Sequence, residues 1–180
     1  MLRLFLTTGW TSDTNGIHVL LANQFTFGHV MGWTTPDAFL ARNDTLGFLR
    51  QLAQLKVEHS RYLVYGRLMR PPVLTAGGGG PLAEMEWCQV PAHTCCQTTL
   101  VIGQVWMDTQ GTLGLVLANP SNRTVAVSAA LRAESHTNLM PGGRVQIDGA
   151  EIVEVGGAHL QITRTMPALS AAVVSIAPYV

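Results

Sequence analysis

The chain has 180 residues, enough for one sizeable core or for two small units that share one. Eleven basic residues balance eleven acidic ones, so the zero net charge excludes the electrostatic footprint of a nucleic-acid or anionic-membrane binder. Charged residues make up 12%, against about 25% in soluble domains, and mean hydropathy is +0.24. The expectation is a piece of a larger protein, or a chain much of whose surface packs on something else.

No apolar run approaches the ~18 residues of a membrane-spanning helix. The opening residues 2–6 read as a buried strand and are too short for a secretory h-region. Residues 13–23, DTNGIHVLLAN, give a polar entry followed by Ile17, Leu20 and Leu21 on one face, with Val19 and Ala22 opposite. That pattern is a short helix buried on most sides. Residues 24–28, QFTFG, read as a strand with aromatics at Phe25 and Phe27, while Leu21 and Phe25 at i, i+4 spacing keep helix continuation through Val30 as a rival. Gly32 and Trp33 begin a loop. Thr35-Pro36-Asp37 is a helix start, with a cap, a proline and an acid in order. The helical region runs to about Val57, with a second cap at Asn43-Asp44. Leu46, Leu49, Ala53, Phe48, Leu52 and Leu55 form a wide apolar stripe suited to lying on a sheet.

Residues 61–74, RYLVYGRLMRPPVL, mark a change of period from about 3.6 to 2. They read as a strand that stops at Pro71-Pro72, where two ladder donors are missing. AGGGGP at 76–81 is a linker or long turn, and lacks the lysine and helix start of a phosphate loop. From Leu82 the pattern is β throughout. Met85 and Trp87 alternate with Glu84 and Glu86, and Asp108-Thr109-Gln110-Gly111 is a hairpin turn between residues 98–107 and 113–119. About seven or eight short strands with regular turns predict an antiparallel sandwich. The fold class is therefore α+β: helices with one or two strands over residues 1–60, then an all-β sandwich over 61–180.

Chemistry-bearing residues are sparse. Glu84 and Glu86 share one strand face at ~7 Å, a carboxylate pair whose simplest account is solvation opposite the inward Met85 and Trp87. Asp148 and Glu151 read as solvated turn residues. The six histidines, His18, His29, His59, His93, His136 and His159, form no metal-binding spacing. Cys88, Cys95 and Cys96 are an odd set with an adjacent pair, which argues against a disulfide framework and for buried free thiols. A metal set of Cys88, His93, Cys95 and Cys96 does not match the usual paired spacing. No serine has the G-x-S-x-G surroundings of a nucleophile, and no cofactor or metal is expected. Asn43-Asp44-Thr45 and Asn122-Arg123-Thr124 are glycosylation sequons, usable if the protein is secreted. If residues 24–28 form a barrel strand, the following loop lies at its substrate-binding end. Trp33 would then stack on a sugar ring, and Gln24 or His29 would bond a hydroxyl.

Three segments together carry a resemblance. Residues 20–33 (LLANQFTFGHVMGW), residues 59–74 (HSRYLVYGRLMRPPVL) and residues 104–122 (QVWMDTQGTLGLVLANPSN) resemble the carboxyl-terminal part of a group of glycoside-hydrolase-like proteins. The matching features are Gln24, Phe25, Gly28, Gly32-Trp33, Tyr65-Gly66-Arg67, Pro71-Pro72, Trp106, Gly111 and Leu117-Ala118-Asn119. The resemblance implies a (β/α)₈ barrel followed by a β-sandwich, with residues 1–60 as the closing βα units of an incomplete barrel. A whole barrel takes about 250 residues, so the catalytic carboxylates of such an enzyme would lie upstream of Met1 and none is carried over. The expected role is a carboxyl-terminal fragment whose sandwich braces a carbohydrate-active barrel, inactive alone. A missing barrel portion or a partner chain would then cover residues 1–60, and the full-length protein would be secreted or lysosome-like. The alternative is a noncatalytic carbohydrate-binding or structural interaction module, which needs exposed aromatics among Trp33, Trp87 and Trp106.

Overall fold

A computed structural model describes residues 14–31, 42–89, 94–136 and 139–179. The class is α+β. Among the described residues three helices come first: α1 (Thr14–Thr26), α2 (Asn43–Glu58) and the single turn α3 (Ser60–Leu63). Eleven strands follow: β1 (Arg67–Leu68), β2 (Val73–Ala76), β3 (Glu84–Gln89), β4 (Thr94–Thr99), β5 (Ile102–Met107), β6 (Leu113–Asn119), β7 (Val125–Arg132), β8 (Arg144–Ile147), β9 (Glu151–Glu154), β10 (His159–Met166) and β11 (Ser170–Pro178). They form a six-stranded sheet in the order β1-β5-β6-β11-β8-β9, a three-stranded sheet β10-β7-β2, and the separate hairpin β3-β4. Every strand pair among the described residues is antiparallel.

The centre of the six-stranded sheet is covered on both faces. Along β6, Leu113, Leu115 and Leu117 join Val127, Ala129 and Leu131 of β7 and Leu160 and Ile162 of β10 in one core. The alternate residues Val116 and Ala118 join Ile17, Leu21 and Phe25 of α1, Phe48 and Leu52 of α2, and Tyr62 and Leu63 of α3 in a second. The period-2 geometry of a strand sends consecutive side chains to opposite faces, so an unbroken apolar run such as LGLVLA is what a doubly covered strand requires. The layers are thus helices, large sheet, small sheet.

The helix α1 carries the first correction. Residues 24–28 are not a strand: the helix runs on to Thr26, and Phe27-Gly28 is a turn. Leu21 and Phe25 lie on the same buried side, and facing the sheet they favour helix over strand. Gly28, at φ 65°, closes the helix. The His29 amide donates to the Gln24 carbonyl at 2.8 Å and the Gly28 amide to the Phe25 carbonyl at 3.0 Å, the paired bonds of a left-handed glycine stop. The loop after Gly28 therefore follows a helix rather than a barrel strand.

Most of the stripe on α2 lies on the sheet as expected, with Phe48 and Leu52 buried and Leu49 and Leu55 partly so, while Leu46 is half-buried outside this cluster and Ala53 is exposed. It starts at Asn43, where the sequence offers its second helix start, but the cap position is Arg42 and no side chain caps it; Thr35-Pro36-Asp37 and residues 2–6 fall outside the described residues. Asp44 serves that start, its Oδ1 accepting from the Thr45 amide at 2.8 Å. Residues 61–74 are the second correction. Tyr62 and Leu63 are helical and fully packed, the following strand is confined to Arg67–Leu68, and chain pairing resumes at Val73, after the two prolines. The Asp108 carboxylate organises the expected hairpin turn, accepting from the Gln110 and Thr112 amides at 2.9 and 2.8 Å, with Gly111 at φ 84°.

Candidate functional site

The helix stop at Gly28 opens onto a recess of about 470 Å³ where α1, α2 and α3 meet the edge of the large sheet. Its apolar wall is Leu63, Val64, Leu68 and Trp106, and its polar rim is His29, Lys56 and Arg67. Trp106 is the wedge. It is 4% exposed, and its indole Nε1 donates to the Thr26 carbonyl at 2.9 Å, satisfying one of the carbonyls left over at the end of α1. A Cβ on Gly28 would stand 2.6 Å from the Leu63 carbonyl and 3.0 Å from the Trp106 ring, so the backbone approach itself needs glycine. Lys56 crosses from α2 and donates through Nζ to the Gly28 carbonyl at 3.0 Å and to the His29 carbonyl. The ammonium at the end of α1 also suits the negative end of the helix.

Of the three residues read as sugar contacts, His29 lies on the rim, its ring stacked on Phe27 at 5.9 Å. Gln24 is on α1 with no exposed surface, packed inside the helical layer and out of reach of a ligand in the recess. Trp33 lies outside the described residues. Trp106, one of the aromatics that a carbohydrate-binding module would need exposed, is buried instead.

Behind the recess, Tyr62 passes under the large sheet. Its hydroxyl is 2.9 Å from the Ser175 hydroxyl, and Arg61 lies over its ring at 4.6 Å while facing Asp108 at 3.8 Å. Burial pushes the Tyr62 phenol above its ordinary value, against the opposing hydrogen bond from Ser175. A neutral phenol held this way fixes a helix on a sheet and offers no base.

A second opening, about 480 Å³ and mostly polar, lies where the hairpin β3-β4 meets the β6–β7 turn. Glu84 and Glu86 line it with Asn15, Ser121, Asn122 and Arg123. Both glutamates are exposed and Met85 and Trp87 half-buried, the alternation the sequence predicts. Two carboxylates on one face of one strand approach a ligand from the same side, whereas glycosidic hydrolysis needs them on opposite sides of the bond.

The cysteines are corrected outright. Cys88 and Cys95 form a disulfide across the β3-β4 hairpin, and Cys96 is exposed rather than buried. The hairpin register places Cys88 opposite Cys95, so the bond joins directly facing residues and leaves the adjacent Cys96 out of it. Glu86, Cys88 and Cys95 have ligand atoms within 4.8 Å of one another, but disulfide sulfurs are not the thiolates a metal needs. Asn119, at the end of β6, enters the sequence analysis only as part of the resemblance, and its structural role is new. Its buried side chain donates to the carbonyls of Arg123 (2.8 Å), Met166 (3.2 Å) and Pro167 (2.7 Å) and accepts from the Ser121 amide (3.0 Å) and hydroxyl (2.6 Å). Asn-Pro is a turn signal in a sequence, whereas the depth of the side chain has none.

Compared with known proteins, the chain matches no family model, no curated protein and no solved structure. Among the described residues, no helix is long and apolar enough to cross a membrane.

Proposed function

We propose that this chain is a noncatalytic bracing module, the carboxyl-terminal part of a glycoside-hydrolase-like protein whose carbohydrate-active barrel the helical layer helps to seat. The observation that carries the reading is the helical layer itself. It is fastened to the outer face of the large sheet through Phe25, Phe48, Tyr62 and Trp106, while Val30, Val64, Tyr65 and Leu68 remain exposed at 40%, 41%, 74% and 42%. Large apolar side chains left in water beside a recess are what a covering surface would bury. On this reading the two sheets supply rigidity, the helices supply the joint, and the carboxylates that cleave sugar belong to the covering barrel.

The test is the transcript that encodes the chain, read upstream of the Met1 codon. The expected result is an open frame of alternating strand and helix patterns with acids at strand ends; an in-frame stop immediately upstream would overturn the reading. A noncatalytic carbohydrate-binding module is the rival, and glycan-array binding by the chain alone would favour it. Against that rival, Trp106 is buried and Trp87 half-buried, so neither stands out as a fully exposed ring.

A further inference from the structure

We propose that Asn122 carries an N-linked glycan and that the chain matures in an oxidising secretory lumen. Asn122-Arg123-Thr124 meets the acceptor pattern, in which the hydroxyl two residues on positions and polarises the asparagine amide. The structure adds what the triplet alone lacks. The β6–β7 turn is held from inside by Asn119 and by the Ser121 hydroxyl, which accepts from the Arg123 amide at 3.3 Å, so its shape is set by buried groups. Asn122, Arg123 and Thr124 are all exposed on it. Beside Asn122 lies the polar opening of about 480 Å³, which gives the first sugars room and hydrogen-bonding neighbours without displacing the core.

The other sequon differs. Thr45 is 0% exposed and its hydroxyl lies 2.9 Å from the His18 imidazole, so once folded Asn43-Asp44-Thr45 no longer presents its acceptor hydroxyl. The Asn122 triplet presents its own before and after folding. Independently, the Cys88–Cys95 disulfide is of the kind that persists in secretory compartments and is rare where thiols are kept reduced. In the transfer, the Asn122 amide nitrogen attacks the anomeric carbon of a lipid-pyrophosphate-linked oligosaccharide. An N–C bond forms, the C–O bond to pyrophosphate breaks, the lipid pyrophosphate leaves, and the amide gives up one proton. The inference stands whether or not the bracing reading does.

The test is made on the chain isolated from the cells that produce it. Treatment with a peptide N-glycosidase in heavy-oxygen water should increase gel mobility and leave a labelled aspartate at position 122. Asn122→Gln and Thr124→Ala should each abolish the mobility change, Thr124→Ser should keep it, and Asn43→Gln should leave it untouched. Alkylation without reductant should modify Cys96 and spare Cys88 and Cys95. A wild-type chain unchanged by the enzyme, a label confined to Asn43 and absent from position 122, or alkylation of all three cysteines would overturn the proposal.

Discussion

The two faces of β6 are packed by opposite devices. Toward the small sheet, Leu113, Leu115 and Leu117 meet Val127, Ala129, Leu131 and Leu160, so both partners bring aliphatic bulk. Toward the helices, the strand offers only Gly114, Val116 and Ala118, and β11 adds Ala171 and Val173. The bulk there comes from the helices, as Phe25, Phe48 and Tyr62, and from Trp106 on the neighbouring strand β5. A layer of interleaved aliphatics can share out a lost methyl group by small rotamer shifts. A layer in which rings lie on bare backbone has no such reserve. The difference predicts that the helical layer fails by substitution at single residues, and that it can fail while the sheets persist.

Trp106→Ala should have the largest effect. It removes a buried indole and leaves the Thr26 carbonyl without its donor, costing about 3–5 kcal/mol for the truncation. Urea unfolding would give the size, and amide exchange would give the place: α1 should lose protection well beyond β10. Equal losses across both layers would mean that the helices and sheets are one cooperative unit. Leu115→Ala probes the other face and should cost about 2–4 kcal/mol, with exchange accelerated evenly in β6, β7 and β10. A selective loss of α1 in this variant would erase the contrast.

Gly114→Ala separates the two faces with one methyl group. A Cβ there would stand 2.8 Å from Cγ and 2.9–3.0 Å from the neighbouring carbons of the Tyr62 ring, which is itself fully buried. Overpacking of this kind costs about 1–3 kcal/mol. The double variant Gly114→Ala with Tyr62→Leu should recover part of the loss, because the smaller side chain frees the space. If the two effects merely add in denaturant titration, the ring is not what Gly114 accommodates.

What the sequence showed and hid follows the same division. The α2 stripe and the Asp108–Gly111 hairpin were legible because each is a local pattern: a 3.6-residue period in one case, turn chemistry in the other. Tyr62 and Leu63 were hidden, since YLVY has the composition of a strand and only the sheet beneath makes it a helical turn. Residues 24–26 were ambiguous for the same reason, and the contact with Trp106, 80 positions away, decides them. The Cys88–Cys95 bond depends on hairpin register, which spacing alone did not specify. Of the recess, His29 was legible as a loop histidine; Lys56 and Trp106 reach it only through tertiary packing.

The smallest effect should come from His59, at the joint between α2 and α3. Its ring stacks on Tyr62 at 6.5 Å, tying it to the helical layer. Burial lowers its pKa below the ordinary value of 6.5; Arg61 lowers it further, while Glu58 and Asp148 oppose the shift. The unfolded chain therefore binds the proton more readily than the folded one. Stability should be unaffected by this group above the ordinary histidine range, and should fall as pH drops from about 6.5 toward the lower folded value. His59→Gln should flatten that part of the melting-temperature profile and leave the remainder unchanged. Because the group sits in the helical layer, the pH-dependent loss should appear first in amide exchange of α2 and α3. Superimposable profiles for the two proteins between pH 5 and 7 would show that His59 does not couple protonation to this layer.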